Sequence, residues 1–195
     1  YAVENVKFLH EKFGIDFLTI MDENMTSNAK WTEAFCSLYV KEGLDKKVKW
    51  GTLGDAPSVA TKPHLVKLMK NAGCCYISFG FESASDKVLN EDIKKGQTQA
   101  HLQKTIDTIK EAGLRPITTF MIGNAHENID DLMETMMFWI KNGILIDPFI
   151  CTPYVGSPIF YDNKDYILGQ YDERIKILNT NPNCDKKLLA KLKLR

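Results

Sequence analysis

The stretch YISFGFES, residues 76–83, decides the fold, because a short apolar run ends there abruptly in Glu82 and Ser83. Four similar runs occur along the chain, at residues 17–23 (FLTIMDE), 48–55 (VKWGTLGD), 117–124 (ITTFMIGN) and 149–154 (FICTPY). Helical stretches that stop at a glycine separate most of these runs. Strands alternating with helices predict a parallel sheet, and α/β barrels keep their chemistry at the carboxyl ends of their strands. The sequence therefore predicts an α/β fold and the position of its site together.

Helix signals fill the segments between the runs. Apolar residues at helical spacing precede a stop glycine at Gly14, Gly43, Gly73, Gly113 and Gly143. The first helix, residues 1–13, has an apolar stripe but no strand before it, so we expect an upstream strand to be missing. We also expect a turn at residues 54–57 and Thr61 as the N-cap of the helix that follows.

The helix predicted at residues 129–141 should bury one face. The helical spacing of its apolar residues places Leu132, Met133, Met136 and Met137 on or near that face. Past Pro158 the periodicity weakens, and a last short helix is expected at residues 188–194. No internal linker interrupts the chain.

Composition excludes several classes of protein. The 195 residues contain 25 basic and 25 acidic side chains, so no net field attracts nucleic acid or anionic lipid. The five cysteines show neither C-x-x-C nor zinc-site spacing, and free thiols favour a reducing cytoplasm. No apolar run reaches the ~20 residues of a membrane span. The chain begins with Tyr1 rather than Met, which we interpret as a fragment or a processed product.

Polar residues at the strand ends are the candidate site. They are Asp22 and Glu23, Asp55, Glu82 with Ser83, and residues 124–127. Carboxylates that converge on one rim suit a cationic group, ribose hydroxyls or a metal. Capping of the following helix is the competing explanation for any single one, although it does not explain the glycines that accompany them.

Two glycines support a ligand site at this rim. Gly80 lies inside a strand, where glycine often marks close approach of a ligand or another backbone, and Gly123 stands at a strand end. For each of the two glycines, a role in packing alone is about as well supported as contact with a ligand. His126 lies in the rim loop, unlike the other histidines, and is interpreted as a polar loop residue.

Several fragments, in order and spacing, carry a family resemblance. They are Asp22-Glu23 with its neighbours, residues 67–83, Lys95-Gly96-Gln97-Thr98, residues 112–114, and residues 120–123 followed by Glu127. In these fragments the chain resembles the radical S-adenosylmethionine (radical SAM) superfamily. The resemblance is closest to its cobalamin-dependent branch of methyltransferases and oxidative-cyclase-like proteins, and it covers about residues 1–158.

The resemblance implies a partial TIM-like (β/α)6 barrel that has family strands two to six and lacks the first. It also implies binding of S-adenosylmethionine and a [4Fe-4S] cluster, with cobalamin held by a missing upstream domain. An electron from the cluster would give a 5'-deoxyadenosyl radical that abstracts hydrogen from a small-molecule substrate. A flavodoxin or ferredoxin would be the reductant. Residues 1–158 would form the core barrel and residues 159–195 a C-terminal extension.

Site residues carry over by position in the family motifs. Asp22 and Glu23 match the acidic motif beside the methionyl group of the cofactor. Glu82 and Ser83, after Gly80, match the motif that contacts its ribose and its amino or carboxylate groups. Residues 123–127, with Gly123, Asn124 and Glu127, match the segment near adenine. Asp55 and, at the sixth family strand, Thr152 and Tyr154 complete the predicted set; no catalytic residue is assigned.

Two departures from the family stand out. The Gly-x-Pro-Gly-Glu loop is here Gly123-Asn124-Ala125-His126-Glu127, and the CxxxCxxC cluster loop is absent. We therefore expect no metal ligand in this chain, with the cluster cysteines upstream of Tyr1, and no radical chemistry from the chain alone. Two alternatives remain open: a degenerate barrel that binds a nucleotide-like ligand or partner without redox chemistry, and a hydrolase or lyase with a divalent metal at Asp22, Glu23, Asp55 and Glu82.

Overall fold

The computed structural model describes residues 1–22 and 24–180, with the backbone alone for residues 145–147 and 174–180. Within that part of the chain five strands are present: β1 (Phe17–Ile20), β2 (Lys49–Leu53), β3 (Cys74–Glu82), β4 (Arg115–Ile122) and β5 (Leu145–Ile150). The helices are α1 (Ala2–Phe13), α2 (Ala29–Lys41), α3 (Ala56–Thr61), α4 (Pro63–Asn71), α5 (Asp86–Val88), α6 (Gln99–Glu111), α7 (Ile129–Asn142), α8 (Pro158–Asp162) and α9 (Lys164–Thr180). A 3₁₀ turn covers Leu44–Lys46, and a π-helical turn, Leu89–Ile93, continues α5.

The sheet confirms the predicted fold class. Its strands are all parallel and lie in chain order β1-β2-β3-β4-β5, as successive right-handed crossovers produce. The strands curl into a half-barrel with helices outside, which is the partial TIM-like barrel expected from the sequence. All five strands therefore present their carboxyl ends at the same edge.

The two faces of the sheet differ in burial. On β3, Ile77, Phe79 and Phe81 are buried beneath helices, whereas Tyr76 and Ser78 on the other face are half-buried. This alternation follows from the two-residue period of a strand.

Aromatic side chains fill the core between sheet and helices. Trp50 of β2 packs edge-on against Phe35 of α2, and Phe81 of β3 stacks on Trp139 of α7. The Trp50 indole N–H donates to the Ala72 carbonyl at 2.8 Å, so this polar atom has a partner in the core.

Local signals set most helix ends correctly. Asn28 accepts a hydrogen bond from the Trp31 amide and caps α2, and Thr98 accepts one from the His101 amide and caps α6. Gly143, at φ 59°, ends α7 in the left-handed conformation that glycine adopts without a Cβ clash.

Residues 54–61 differ from the prediction. The expected turn at residues 54–57 leads at once into the short helix α3, whose N-cap is Asp55. Thr61 is the last residue of α3 rather than the cap of α4, and its hydroxyl donates to the Pro57 carbonyl. Pro57 fits because the first turn of a helix has no backbone bond for its missing N–H to make.

The buried face of α7 also differs from the prediction. Met133, Met136 and Met137 are exposed, the last by 57%. The face toward the core is formed instead by Asp131, Thr135, Phe138, Trp139 and Asn142. Its polar members are hydrogen-bonded, so burial there does not follow hydrophobicity.

The chain divides into two compact units, Tyr1–Cys151 and a second that begins at Thr152. The second unit contains α8 and α9, and the Ser157 side chain caps α8 by accepting from the Phe160 amide. The predicted boundary between core and extension at residue 158 stays a prediction, and the helix expected at residues 188–194 lies outside the described residues. None of the helices described is both long and apolar enough to cross a membrane.

Candidate functional site

The carboxyl edge of the half-barrel brings together most of the predicted site residues of the first unit. Asp22 follows β1, Asp55 follows β2, Glu82 ends β3 and Gly123 follows β4. Parallel strands in consecutive order place these four positions along one rim.

Glu82 has an unusual backbone. Its φ is +64°, a left-handed value that is uncommon for a residue with a side chain, and the Ser83 amide donates to the Phe81 carbonyl at 2.7 Å across it. The pairing register with β4 also shifts between Gly80 and Glu82. Strained backbone of this kind concentrates at functional sites.

The side chain of Glu82 turns back over Gly80. A Cβ built on Gly80 would lie 2.5 Å from Glu82 Oε1, closer than any real contact, so glycine makes room for the carboxylate. Lys95 Nζ lies 2.9 Å from the same oxygen, and the Glu82 side chain is only 14% exposed. Glu82 and Lys95 thus form an ordered charged pair at the rim, and Gly80 leaves the space for it.

Ser83 is fully buried and bonded within the protein. Its Oγ lies 3.1 Å from Thr135 Oγ1 of α7 and accepts from the Ser85 amide at 3.1 Å. Thr135 Oγ1 also accepts from the Ala84 amide. Ser83 therefore holds the turn after β3 against α7, and its predicted contact with the cofactor stays a prediction.

The two aspartates of the rim both bond to backbone. Asp22, which is exposed, accepts from the Asn24 amide at 3.0 Å, and Asp55 accepts from the Ser58 amide at 3.0 Å as the cap of α3. The Asp55 amide in turn donates to Thr26 Oγ1. The second oxygen of each carboxylate makes no hydrogen bond with a described residue, so a capping role leaves room for a ligand.

A cavity of about 230 Å³ opens between these groups. It lies beside the Glu82–Lys95 pair and is lined by Asn24, Gly54, Asp55, Ala56, Phe79, Gly80, Lys95 and Gln97. The lining combines a cation, a carboxylate and two amides with glycine backbone. Such a wall suits a small ligand that carries both charges.

The loop after β4 is organised by Glu127. Its Oε2 accepts from the Gly123 amide at 2.6 Å and from the Asn124 amide at 3.3 Å, while Oε1 is buried with no partner among the described residues. Gly123 has φ +87°, which favours glycine. Asn124 is itself buried and donates to the Met121 carbonyl.

His126 is tied to the segment after β3. Its Nδ1 lies 2.7 Å from Asp92 Oδ1, and its amide donates to Asp92 Oδ2 at 3.1 Å. Lys87 Nζ donates to the His126 carbonyl at 2.7 Å. These contacts fix a loop that lacks the family's proline and second glycine.

The end of β5 lies near the same negative charges. The Cys151 amide donates to the Ile122 carbonyl at 2.8 Å. Burial first, and then the carboxylates of Asp92 and Glu127, raise the pKa of the Cys151 thiol. The thiol therefore stays protonated at neutral pH.

The described residues offer no place for a metal or an iron–sulfur cluster. No three His, Cys, Asp or Glu side chains in residues 1–22 and 24–180 come together as metal ligands. Cys36 lies in α2 and Cys74 at the amino end of β3, and both are buried. The described residues thus do not fit a [4Fe-4S] cluster, and the divalent metal of the hydrolase alternative is not tested, because Glu23 lies outside them.

Three predicted residues cannot be placed at this rim. Glu23 lies outside the described residues, while Thr152 and Tyr154 belong to the second unit, where Tyr154 is largely exposed. Their roles stay predictions.

Comparison with known proteins assigns the chain to a family. A model described as the Radical SAM superfamily matches residues 1–138. The chain belongs to the radical SAM superfamily. That membership confirms the resemblance, and it implies S-adenosylmethionine and a [4Fe-4S] cluster as the family's cofactors.

Curated relatives of this radical SAM chain include a cyclase and a methyltransferase. It is 30% identical over 167 residues to the anaerobic magnesium-protoporphyrin IX monomethyl ester cyclase of Cereibacter sphaeroides, covering 85% of this chain and 27% of that protein. It is 31% identical over 160 residues to an uncharacterized methyltransferase of Pyrococcus horikoshii, covering 82% of the chain and 34% of the relative. The chain thus spans about a quarter to a third of these relatives.

Solved structures share the fold. The methyltransferase TsrM from Kitasatospora setae, with cobalamin and a [4Fe-4S] cluster bound, superposes with a TM-score of 0.66 at 12% identity, over 76% of this chain and 28% of that one. OxsB with aqua-cobalamin and S-adenosylmethionine bound gives 0.64 at 18% identity, over 87% and 25%. Both of these radical S-adenosylmethionine proteins have cobalamin bound in their structures.

Several residues of the site were not singled out from the sequence. Lys95 and Gln97 were seen only as part of a family motif in a loop, and Asp92, Lys87 and Thr135 were not noticed. The partners of Lys95, Lys87, Asp92 and Thr135 lie between 13 and 52 residues away in sequence. Hydrophobic periodicity does not reveal pairs of residues so far apart in sequence. The charged residues that cluster before Gly96 are only a weak indication that this loop belongs to the site.

Proposed function

We propose that this chain is the S-adenosylmethionine-binding part of a radical SAM enzyme, a cobalamin-dependent methyltransferase or an oxidative-cyclase-like enzyme. The observation that carries the proposal is the Glu82–Lys95 pair, folded over Gly80 beside a polar cavity at the strand ends. The relatives' activities support the two reaction types.

The rim fits the parts of the cofactor. The Glu82 carboxylate suits ribose hydroxyls, the cavity beside Lys95 and Asp55 suits the methionyl end, and the loop at Gly123 and Glu127 suits adenine. Asp22 and Glu23 would complete the methionyl side, and the contacts expected of Thr152 and Tyr154 stay predictions. S-adenosylmethionine supplies the 5'-deoxyadenosyl group of the chemistry, and these residues bind and orient it on a rigid scaffold.

The other cofactors would be held outside this set of residues. The CxxxCxxC motif of the cluster does not occur in the 195 residues, so we expect its cysteines upstream in the parent protein. A cobalamin domain would also lie upstream. By itself the chain would bind the cofactor without cleaving it.

The partners follow from the same reaction class. The parent enzyme would act on a small-molecule substrate, take electrons from a flavodoxin or ferredoxin, and work in the cytoplasm. Equal numbers of acidic and basic residues support the absence of nucleic acid among its partners.

Calorimetric titration of the chain with S-adenosylmethionine tests the proposal. We expect Glu82→Gln, which keeps the shape of the side chain and removes its charge, to weaken binding by about 10- to 100-fold, as loss of a charged hydrogen bond does. Glu111→Gln makes the same change at the exposed last residue of α6 and should leave the affinity unaltered. Equal affinities of the wild-type and Glu82→Gln chains would refute the assignment of Glu82.

A further inference from the structure

The outward face of α7 carries a stripe of large apolar side chains that the described residues leave exposed. We call it the α7 seam, and it consists of Ile129, Met133, Met136, Met137 and Ile140. The isoleucines at its two ends are 67% and 68% exposed. Apolar side chains clustered in this way mark an interaction surface, whereas single exposed ones need no explanation. The α7 seam therefore indicates a partner.

The spacing of the α7 seam is that of a helix which pairs with another helix. Four of its members follow one another at steps of four, three and four residues: Ile129, Met133, Met136 and Ile140. This alternation places the side chains along one line, as at the inner positions of a coiled coil. At a rise of 1.5 Å per residue the seam is about 16 Å long, so the contact it can make is small.

Two charges beside the α7 seam define the helix that fits it. Asp130 lies near the start of α7 and Lys141 near its end, and both are exposed. Neither side chain forms a hydrogen bond or an ion pair with a described residue. They lie only about 20° apart around the helix axis, so both flank the seam on the same side.

A second copy of α7 that runs antiparallel to the first matches this arrangement. The twofold axis of such a pair is perpendicular to both helices and keeps their charged flanks on one side. Asp130 of each copy then faces Lys141 of the other, which gives two ion pairs. A parallel pair would place the two flanks on opposite sides, where neither charge meets its opposite.

We propose that the α7 seam is the interface of an antiparallel homodimer. The proposal is independent of cofactor binding. The apolar side chains supply most of the affinity, while the ion pairs at the edge of the interface set the direction of the two helices. Because the contact is small, we expect a weak dimer with a Kd on the order of 10–100 μM.

Analytical ultracentrifugation of the 195-residue chain, from well below to well above this Kd, tests the proposal. We expect a shift from monomer to dimer. The double variant Met133→Ser/Ile140→Ser should raise Kd by more than about tenfold, since it removes apolar contacts from both copies. Val40→Ser is the control, because Val40 is an exposed apolar residue of α2 outside the seam, and it should leave Kd unchanged.

An exchange of charges tests the antiparallel direction. Asp130→Lys alone brings two cations together at each end of the interface, so we expect Kd to rise by about five- to tenfold. Adding Lys141→Asp makes every facing pair opposite in charge again and should return Kd to near the wild-type value. Both positions are exposed, so circular dichroism should show the fold retained in each variant.

Methionine oxidation by dilute hydrogen peroxide, followed by mass spectrometry, shows what covers the α7 seam. We expect Met133, Met136 and Met137 to oxidise quickly in the dilute chain and slowly in the concentrated chain. Two methionines serve as controls at both concentrations: Met21, which is exposed, should oxidise quickly, and Met69, which is buried, should oxidise slowly.

Several outcomes would overturn the homodimer while leaving the proposed function standing. They are a chain that stays monomeric at the highest concentration, an unchanged Kd in the double serine variant, and a charge exchange that does not restore Kd. Slow oxidation of the three seam methionines in the dilute monomer would also overturn it, because another part of the chain would then cover the seam.

Discussion

Gly80 shows how one missing methyl group can position a charge. The space that its Cβ would occupy holds the Glu82 carboxylate, which Lys95 fixes from the other side. The glycine thus acts through Glu82, and it need not touch a ligand itself. From the sequence, Gly80 could serve either ligand contact or packing; the structure shows that it makes space for the Glu82 carboxylate.

Gly80→Ala should therefore move Glu82 without unfolding the chain. The obstructed atom is the far end of a flexible side chain, which can rotate away, so we expect little change in stability and about tenfold weaker binding of S-adenosylmethionine by calorimetry.

A double-mutant cycle supplies the control for Gly80. In a Glu82→Ala background no carboxylate remains to be displaced, so Gly80→Ala should have no further effect on affinity. Gly169→Ala on α9, where nothing lies within 4 Å of the added carbon, should leave binding as it is. An undiminished effect of Gly80→Ala without Glu82 would show that Gly80 contributes in another way.

At the scale of elements, a buried carboxylate joins α7 to the segment after β3. Asp131 Oδ1 accepts from Ser85 Oγ at 2.8 Å, and Oδ2 accepts from Lys87 Nζ at 2.8 Å and from the Asn128 amide at 3.0 Å. These bonds, with that of Lys87 first, lower the pKa of Asp131 to about 2. The helix and the rim loops are thereby held together.

Asp131→Asn should destabilise the protein in a pH-dependent way. Because the folded pKa lies below the ordinary value of 3.8, the carboxylate stabilises fully above that value and loses its contribution as pH falls toward about 2. We expect a deficit of about 1–3 kcal/mol in unfolding free energy at pH 7, measured by urea denaturation, that shrinks between pH 4 and pH 2.

Asp130→Asn is the comparison for that measurement. Asp130 lies in the same first turn of α7 but is exposed, so its loss should cost only a few tenths of a kcal/mol. A deficit for Asp131→Asn that is the same at pH 3 and pH 7 would contradict the role given to its charge.

Elements differ in how far the sequence predicts them. The apolar run of β4 and the glycine at its end are local signals, and the run recognised at residues 117–124 overlaps most of the observed strand, Arg115–Ile122. The inner face of α7 was predicted wrongly, because its buried Asp131, Thr135 and Asn142 form hydrogen bonds with side chains that are distant in sequence. Hydrophobic periodicity does not register polar residues satisfied in this way.

The residues of the candidate site also differ in how far the sequence predicts them. Strand-end residues such as Asp22, Asp55, Glu82 and Gly123 are predictable, because strand order alone brings them to one rim. The partners that organise the rim, Lys95 on Glu82 and Asp92 on His126, come from loops whose path depends on the whole fold. Their pairing needed the structure.

At the scale of the whole molecule, one edge of the half-barrel gathers the polar groups while the helices carry the core. The helix layer has its own surface groove, lined by residues of α3, α4 and α6 that include Pro63, Gln103, Lys104 and Asp107, on the outside of the sheet. We assign cofactor binding to the strand-end edge and not to that groove.

Titration of the isotopically labelled chain with S-adenosylmethionine, followed by amide NMR, tests this central claim most directly. We predict that shifts concentrate at residues 22–26, 54–56, 80–84, 95–97 and 123–127, while amides of residues 60–62 and 100–111 stay in place. Shifts confined to the helix groove, or a chain that shows no shifts at saturating cofactor, would contradict the account.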